Sequence, residues 1–369
     1  MPRVAQPIWY LLPMRTAFVI AIGTVVWMVS STRAPLAAAA SPCVTATPTC
    51  TEWIALGRGS ARSMVYRSFP LDVRNEGIRR ATVMVHGAGR NADHYFTTVT
   101  SAAFIAGALE DTIVVSPKLT ACNDKLEPNE VGWSCTGDSW RSGGMAVTHP
   151  DLSSFDFIDQ IVTKLANKRV FPNLRAIVVT GHSAGGQLVA RYQMSNRVHD
   201  SIGTPMSYVV ANPSSYAWPS ATRPLSLDDA TPENAKGAWE TEKPHAKFSY
   251  GAFQGSGACP NYDRWPAGLQ NRTAGYTVNT SDEQLKKQLV SRPTTYLLGQ
   301  VDTLPLGGFD SSCPAMAQGA TRRARGEAFV KYVNEQLGAK HGIQIVPECG
   351  HNDRCVFTTD AVLPLIFPK

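Results

Sequence analysis

The sequence predicts an α/β fold in which a doubly wound, mostly parallel sheet is covered by helices on both faces. Residues 81–85 and 112–115 are short runs of β-branched and apolar residues, which are typical of strands buried on both faces of a parallel sheet. Segments with helical periodicity lie between such runs, and this alternation indicates parallel strands joined by helices. A chain of 369 residues is long enough for one large domain of this class.

The first forty residues differ in composition from the rest of the chain. Arg3 and Arg15 precede an apolar run at residues 17–29, and three alanines follow at residues 38–40. This is the layout of a secretory signal peptide, and the thirteen apolar residues are fewer than the roughly 20 that span a bilayer. We therefore predict a signal peptide over residues 1–40 and a secreted or periplasmic protein with no stable membrane insertion after cleavage. An uncleaved membrane anchor is the alternative.

The predicted elements follow in order along the remaining chain. Residues 41–60 are rich in Ser, Thr and Pro, and we expect a loose lead-in to an α/β domain over residues 61–369. Ser153 and Asp156 are spaced as a capping box at the start of an amphipathic helix. Periodicity is lost at about residues 212–292, which predicts a cap or lid-like insertion. The predicted strands span residues 64–69, 81–85, 112–115, 176–179, 208–211, 294–298 and 343–346, and the predicted helices lie at residues 92–109, 155–165, 187–192, 321–337 and 360–367.

The charge balance gives no sign of a nucleic-acid partner. The formal net charge is +6, and removal of residues 1–40 takes away three arginines and no acids, which leaves +3. Hydrophobic residues make up 43% of the chain and charged residues 17%, and this balance argues against broad disorder. Arg322, Arg323 and Arg325 form the one compact basic group in the sequence. We interpret this group as the solvated start of a helix rather than a binding patch.

Eight cysteines, all located after residue 40, predict disulfide bonds. An even number in an exported chain indicates disulfides, and the lack of C-x-x-C spacing argues against zinc or thioredoxin-like chemistry. Eight cysteines allow many pairings, and proximity in the sequence favours one set. This set is Cys43–Cys50, Cys122–Cys135 and Cys349–Cys355, which leaves Cys259–Cys313.

A candidate nucleophile lies between a predicted strand and a predicted helix. The segment Gly181-His182-Ser183-Ala184-Gly185 has the pattern G-x-S-x-G. A serine on such a tight turn adopts strained backbone geometry, and the flanking glycines leave room for the turn. The hydroxyl of Ser183 would then lie at the carboxyl edge of the sheet, near the N-terminus of the next helix. The alternative is an ordinary Gly/Ser turn that closes a βα unit.

A second turn at the same edge is a candidate oxyanion hole. The strand at residues 81–85 runs directly into His86-Gly87-Ala88-Gly89, whose small residues allow backbone N–H groups to approach a substrate oxygen. We predict that the N–H of Ala184, together with that of Ala88 or a neighbouring glycine, holds the developing negative charge. We also expect His86 to order this turn by hydrogen bonding. The alternative is a glycine-rich turn without a chemical role.

Two further loops follow predicted strands at this edge, where open α/β sheets bind their ligands. Asp302 comes shortly after a strand and is predicted to fix the tautomer of a histidine ring, with Asp310 as the reserve candidate. His351 follows the last strand and is the predicted general base. His182 is expected to point away from Ser183 and to have a structural role. The alternatives are a turn aspartate that caps a helix and a histidine on a surface loop.

These motifs together resemble the α/β-hydrolase superfamily. The resemblance rests on the elbow around Ser183, residues 86–92, residues 211–216 and the loops of Asp302 and His351, and the order Ser, Asp, His is that of the superfamily. Within it, the chain looks like exported serine esterases and is distantly similar to feruloyl esterases and polyhydroxyalkanoate depolymerases. The resemblance implies hydrolysis of carboxylic esters with no metal and no organic cofactor. The sequence has no His-Gly-Gly-Gly run, so the lipase type of oxyanion loop does not carry over residue by residue.

The substrate and the reaction remain open at this point. Aromatic residues are predicted to line a substrate pocket, with packing inside a lid as the alternative. We expect a small-molecule or polymeric ester as substrate and no nucleic acid, and the sequence leaves the oligomeric state open. The competing functions are a peptidase or acyltransferase with the same three residues, and a non-catalytic binding protein on a hydrolase scaffold. The five aromatic candidates are Trp140, Tyr216, Trp218, Tyr262 and Trp265.

Overall fold

The fold is built around one large sheet. The computed structural model describes residues 1–2, 5–6, 8–9, 11, 41–135, 139–226 and 248–369. The strands are β1 (Thr51–Ala55), β2 (Arg62–Arg67), β3 (Arg80–Val85), β4 (Thr112–Pro117), β5 (Ala176–His182), β6 (Met206–Ala211), β7 (Thr222–Ser226), β8 (Phe248–Ala252), β9 (Thr294–Gly299) and β10 (Gly342–Val346). The helices are α1 (Ala92–Ile105), α2 (Ser154–Leu165), α3 (Ala184–Ser195), α4 (Asp282–Ser291), α5 (Cys313–Met316), α6 (Arg322–Leu337), α7 (Asp353–Phe357) and α8 (Leu363–Ile366).

The large sheet is mostly parallel. Its eight strands lie in the order β1-β2-β4-β3-β5-β6-β9-β10. β1 pairs with β2 and β2 pairs with β4 in antiparallel fashion, whereas every pair from β4 to β10 is parallel. The carboxyl ends of β3, β5, β6, β9 and β10 therefore share one edge of the sheet, where open α/β sheets bind ligands.

Helices cover both faces of this sheet, which confirms the predicted doubly wound α/β class. Met84 and Val178 belong to a hydrophobic cluster with α1, α7 and α8 on one face. Val83 and Val179 belong to the cluster with α2, α3, α4 and α6 on the other face. Successive side chains of a strand point to opposite faces, so neighbours such as Val83 and Met84 pack in different clusters. This burial explains the β-branched composition of the strands.

The ends of several helices follow local sequence signals. The predicted capping box of α2 is confirmed: the backbone N–H of Asp156 donates to Oγ of Ser153 at 3.2 Å, and the N–H of Ser153 donates to Oδ2 of Asp156 at 2.8 Å. α6 ends at Gly338, which has a φ of 75°. α8 is shorter than the helix predicted at residues 360–367 and ends before Pro368, because the residue before a proline disfavours helical geometry.

The segment at residues 41–60 is more ordered than the expected lead-in. It contains β1, which pairs along its full length with β2, and Ile54 is fully buried in the core. A disulfide from Cys43 to Cys50 closes the residues directly before β1. The physical reason is that an apolar side chain and strand pairing outweigh the turn-forming composition of the segment.

The predicted insertion at residues 212–292 contains more regular structure than its lost periodicity suggested. β7 and β8 form a separate antiparallel sheet of two strands. α4 buries Leu285 and Leu289 in the main core, and Oγ of Ser281 accepts from the N–H of Gln284 at 3.1 Å. This Ser-x-x-Gln spacing is the signal that indicates the start of α4. Residues 227–247 lie outside the described residues.

Four disulfides confirm the predicted pairing of the cysteines. They join Cys43 to Cys50, Cys122 to Cys135, Cys259 to Cys313 and Cys349 to Cys355. The predicted signal peptide lies outside the described residues, apart from isolated positions among the first eleven. In the described part of the chain, no helix has the length and apolar character needed to cross a membrane.

Candidate active site

Ser183 occupies a strained turn between β5 and α3. Its φ is 58° and its ψ is −116°, a region that residues other than glycine rarely adopt. A Cβ at Gly185 would lie 2.2 Å from the carbonyl oxygen of Val85, and one at Gly181 would lie 2.6 Å from the backbone of Gly185. The turn therefore requires glycine at both positions. It holds the serine at the carboxyl edge of the sheet, directly before Ala184 begins α3.

Ser183, His351 and Asp302 meet at this edge. Nε2 of His351 lies 2.9 Å from Oγ of Ser183, and Nδ1 of His351 lies 2.8 Å from Oδ2 of Asp302. Asp302 follows β9 and His351 follows β10, which are neighbours in the sheet, so residues distant in the sequence converge. The carboxylate can accept Nδ1–H and leave Nε2 to accept the hydroxyl proton. The reserve candidate Asp310 instead accepts from the backbone N–H of Ser312 at 3.0 Å.

The basic group at the start of α6 is buried, so its interpretation as a solvated helix start is wrong. Arg322, Arg323 and Arg325 are 1%, 2% and 0% exposed. Nη1 of Arg322 lies 3.1 Å from Oδ1 of Asp302, and Nε of Arg323 lies 2.7 Å from Oε1 of Glu327. Because α6 begins behind the loop of Asp302, these guanidinium groups find buried acceptors. The sequence does not reveal this contact, since Asp302 and Arg322 are separated by 20 residues.

A second imidazole packs against His351. The ring centroids of His182 and His351 are 4.7 Å apart. Nδ1 of His182 lies 3.1 Å from the hydroxyl of Tyr95, and Nδ2 of Asn212 lies 3.4 Å from its Nε2. Burial, together with repulsion from a charged His351, lowers the pKa of His182 well below its ordinary value. His182 is therefore neutral at neutral pH, and its ring nitrogens contact Tyr95 and Asn212.

His86 fixes the turn that carries Ala88, one of the two predicted oxyanion donors. Its Nδ1–H donates to the carbonyl oxygen of Gly87 at 2.8 Å, and the N–H of Leu119 donates to its Nε2 at 3.0 Å. Burial lowers the pKa of His86 to about 4, so the ring is neutral. Ala88 is exposed on this turn. Ala184 is the first residue of α3, where a backbone N–H has no partner within the helix. The two predicted donors thus follow β3 and β5, which are adjacent strands.

Three of the aromatic residues predicted to line a pocket are packed in the protein interior. Trp140, Tyr216 and Trp218 are 2%, 0% and 0% exposed. Tyr216 stacks on Phe329 with ring centroids 4.6 Å apart, and Trp140 meets His86 edge-on with centroids 5.2 Å apart. Protein atoms surround these three side chains, which is the arrangement that the packing alternative describes.

The other two aromatic residues are half-buried, and one of them lines a cavity. Trp265 and Ser215 contribute to the wall of a cavity of about 310 Å³. Oγ of Ser215 donates to Oε1 of Gln187 at 3.1 Å, and Gln187 lies one helical turn after Ser183 on α3. The residues that line this cavity include Asp310 but not Ser183, Asp302 or His351. Tyr262 instead donates its hydroxyl to a backbone carbonyl at 2.9 Å within the predicted insertion.

The structure thus defines an α/β protein in which a serine, a histidine and an aspartate lie within hydrogen-bond distance at the edge of the sheet. A model of the alpha/beta hydrolase family matches residues 82–363, and the chain belongs to this family. Membership supports hydrolase activity. No curated protein matches the sequence.

Two solved structures share the fold. LpqC, a poly(3-hydroxybutyrate) depolymerase from Bordetella parapertussis, is 19% identical with a TM-score of 0.55, and the match covers 86% of this chain and 94% of that chain. Poly(aspartic acid) hydrolase-1 from Sphingomonas sp. KT-1 is 22% identical with a TM-score of 0.55, and the match covers 86% of this chain and 98% of that chain. At these identities, the likeness shows the fold alone.

Proposed function

We propose that the protein is an exported serine hydrolase that cleaves carboxylic esters through an acyl-enzyme. The observation that carries this proposal is the position of one imidazole between a hydroxyl and a carboxylate. His351 lies 2.9 Å from Oγ of Ser183 and 2.8 Å from Oδ2 of Asp302. A hydroxyl, an imidazole and a carboxylate in this geometry are the parts that nucleophilic acyl transfer requires.

The mechanism follows from the roles of the three residues. His351, oriented by Asp302, takes the proton of Ser183 as its Oγ attacks the ester carbonyl. The oxyanion is held by the N–H groups of Ala88 and Ala184, and one such donor lowers the barrier by roughly 3 kcal/mol. His351 then protonates the departing alcohol. Water activated by the same imidazole attacks the acyl-enzyme and releases the acid and Ser183.

The substrate is proposed to enter beside the insertion at residues 212–292, which would act as a lid. Trp265 and Ser215 belong to this insertion and help to form a cavity, which we propose as the entry. Its size suits part of an ester rather than a large ligand, since ligand pockets hold roughly 300–1,000 Å³. Half-buried Trp265 would supply an apolar wall.

Export is proposed from two features of the chain. The predicted signal peptide at residues 1–40 provides the route, and the four disulfides are stable in an oxidising compartment. Mass spectrometry of the protein recovered outside the cytoplasm would test both features. A mature N-terminus near residue 41 supports export and cleavage, whereas an intact N-terminus in the membrane fraction indicates the uncleaved anchor.

The central test replaces the nucleophile. Ser183→Ala should leave the fold intact and lower ester turnover by several orders of magnitude. Ser201→Ala is the matched control, because Ser201 is exposed and donates to the carbonyl of Val198. A fluorophosphonate probe should label the native protein and the control but not Ser183→Ala. Retained activity in Ser183→Ala would reject the assignment.

The choice of substrate needs a panel of esters. It should contain p-nitrophenyl esters of several chain lengths, hydroxycinnamoyl esters and a polyester film, since one structural relative is named a poly(3-hydroxybutyrate) depolymerase. Products formed with added alcohol or amine separate a hydrolase from an acyltransferase, and a peptide substrate tests the peptidase alternative. If the protein turns over none of these substrates and does not react with the fluorophosphonate probe, the binding-protein alternative is favoured.

A further inference from the structure

The guanidinium of Arg322 lies at the centre of a buried network that includes the acid of the proposed triad. Its Nη1 donates to Oδ1 of Asp302 at 3.1 Å, its Nε to Oγ of Ser214 at 2.8 Å and its Nη2 to the carbonyl oxygen of Gly307 at 2.9 Å. The side chains of Arg322 and Asp302 are 0% and 2% exposed. A planar group held at three points fixes the orientation of the carboxylate that it contacts.

We propose that Arg322 is a positioning residue that acts through Asp302 to orient His351 and to set the pH range in which His351 accepts the proton of Ser183. This inference rests on the proposed serine-hydrolase function. Asp302 uses different oxygens for its two contacts, since Oδ2 faces Nδ1 of His351 and Oδ1 faces Arg322. Each oxygen of the Asp302 carboxylate thus has its own partner. The orientation that Arg322 gives to the carboxylate therefore also orients the His351 imidazole.

Arg322 also holds a loop that contacts His351. A Cβ at Gly307 would lie 3.2 Å from Cδ2 of His351, so the backbone of this loop lies against the imidazole. The hydrogen bond from Nη2 to the carbonyl of Gly307 keeps the loop in that place. One side chain therefore connects the acid and the loop that both touch the general base.

The charge of Arg322 affects the protonation of His351. A carboxylate beside a histidine favours the protonated imidazolium, and a cation on the carboxylate weakens this preference. Burial strengthens the effect, because solvent screens a buried pair only slightly. Loss of the Arg322 charge would therefore strengthen the preference for the imidazolium. The neutral imidazole is the form that accepts the serine proton.

The other titratable groups near this pair have different partners or are neutral. His182 packs on His351, and burial keeps it neutral by lowering its pKa. Arg323 pairs with Glu327 at 2.7 Å. Arg325 donates to the carbonyl oxygens of Gly319 at 2.8 Å and Asp310 at 3.0 Å. Other titratable side chains around the site are Tyr95, Tyr216, Asp310, and His94 with its partner Asp353.

The test separates the charge of Arg322 from its hydrogen bonds. Arg322→Gln keeps N–H donors and removes the charge, whereas Arg322→Lys keeps the charge and loses the planar fork. Arg325→Gln is the matched control, because Arg325 lies one turn further along α6 and is equally buried. Two quantities are measured for each variant. They are the acid limb of the pH profile of kcat/KM and the NMR titration of the His351 ring, identified by its loss in His351→Gln.

We expect Arg322→Gln to move the acid limb and the His351 titration to higher pH by about one unit. Arg322→Lys should leave the acid limb in place and lower kcat by about tenfold, because the imidazole is less well oriented. Arg325→Gln should move both quantities less than Arg322→Gln does, because Arg325 makes no direct contact with Asp302 and its interaction with that charge is the weakest of those that act on it. Equal titration curves for the native protein and Arg322→Gln would overturn the proposal, and so would an equal shift in Arg325→Gln.

The proposal can still be tested when a variant does not fold or when the protein shows no ester hydrolysis. If Arg322→Gln does not fold, the test depends on Arg322→Lys. A lower kcat with an unmoved acid limb supports the proposal. An unchanged kcat or a displaced acid limb overturns it. The NMR titration needs no turnover. A native protein that fails to hydrolyse esters therefore rejects the proposed function, while the titration still tests the coupling between Arg322 and His351.

Discussion

The disulfide between Cys349 and Cys355 encloses His351 and offers a direct test of how its position is maintained. Cys349 is 1% exposed, and its carbonyl oxygen accepts from the N–H of Val301 at 3.0 Å, one residue before Asp302. The bridge joins Cys349, in the loop after β10, to Cys355 in α7, with a sequence separation of 6. The double variant Cys349→Ala/Cys355→Ala removes this constraint and leaves the three residues of the proposed triad in the chain.

The size of the effect on stability follows from the length of the closed loop. In the chain-entropy model, a bridge that closes so short a loop stabilises the fold by about 2 kcal/mol. The Cys43–Cys50 bridge has a sequence separation of 7, so its loss should reduce the free energy of unfolding by a similar amount, about 2 kcal/mol. Removal of the Cys43–Cys50 bridge is therefore a matched control. The two bridges should contribute equally to the free energy of unfolding, but they lie in different parts of the chain.

The effect on activity should separate the two bridges. A displacement of about 1 Å in a reacting group can lower the rate by roughly 100-fold, so we expect kcat/KM of Cys349→Ala/Cys355→Ala to fall by about 10- to 100-fold. Cys43→Ala/Cys50→Ala should keep native kcat/KM. Urea unfolding gives the stabilities, and p-nitrophenyl butyrate gives the rates. Native activity in the first variant, or equal losses in both, would refute the idea that this bridge positions His351.

Three further predictions concern buried groups. Burial raises the pKa of Asp159 to about 6. The protonated carboxyl therefore stabilises the fold at pH values below the ordinary pKa of an aspartate. This contribution to the free energy of unfolding, roughly 3 kcal/mol, is lost as the pH rises through 6. Asp159→Asn should flatten the pH dependence of urea unfolding between pH 4 and 8, and an unchanged slope would contradict this. Tyr95→Phe leaves Nδ1 of His182 unpaired and should lower the free energy of unfolding by about 1–3 kcal/mol, measured by urea denaturation; a native value would count against the contact. Gly185→Ala places a Cβ 2.2 Å from a backbone oxygen and should lower the melting temperature and abolish turnover, and a native-like variant would disprove the requirement for glycine.

The architecture was predictable because its signals are local. Each strand of the parallel core is a short β-branched run, and the capping box at Ser153 and Asp156 marks the start of α2. The approach of Ser183, Asp302 and His351 could be anticipated for a related reason. Each follows a parallel strand, and the carboxyl ends of parallel strands share one edge.

The remaining features depend on tertiary contacts that no local pattern encodes. α4 has only two buried apolar side chains, so its periodicity is weak, and its Ser-x-x-Gln cap was the available signal. Arg322 is charged and resembles a surface residue, yet its acceptors come from loops distant in the sequence. Tyr216 and Trp218 are amphipathic aromatic residues that suit a pocket or a core equally well, and only packing against α6 decides between the two.

The contact between the imidazoles of His182 and His351 has a consequence for the direction of proton transfer. His182 hydrogen-bonds through both ring nitrogens to Tyr95 and Asn212, and burial keeps it uncharged. It is therefore a poor acceptor for a proton carried by His351 during turnover. In the proposed mechanism, the proton that His351 takes from Ser183 would therefore stay on His351 until the leaving group accepts it.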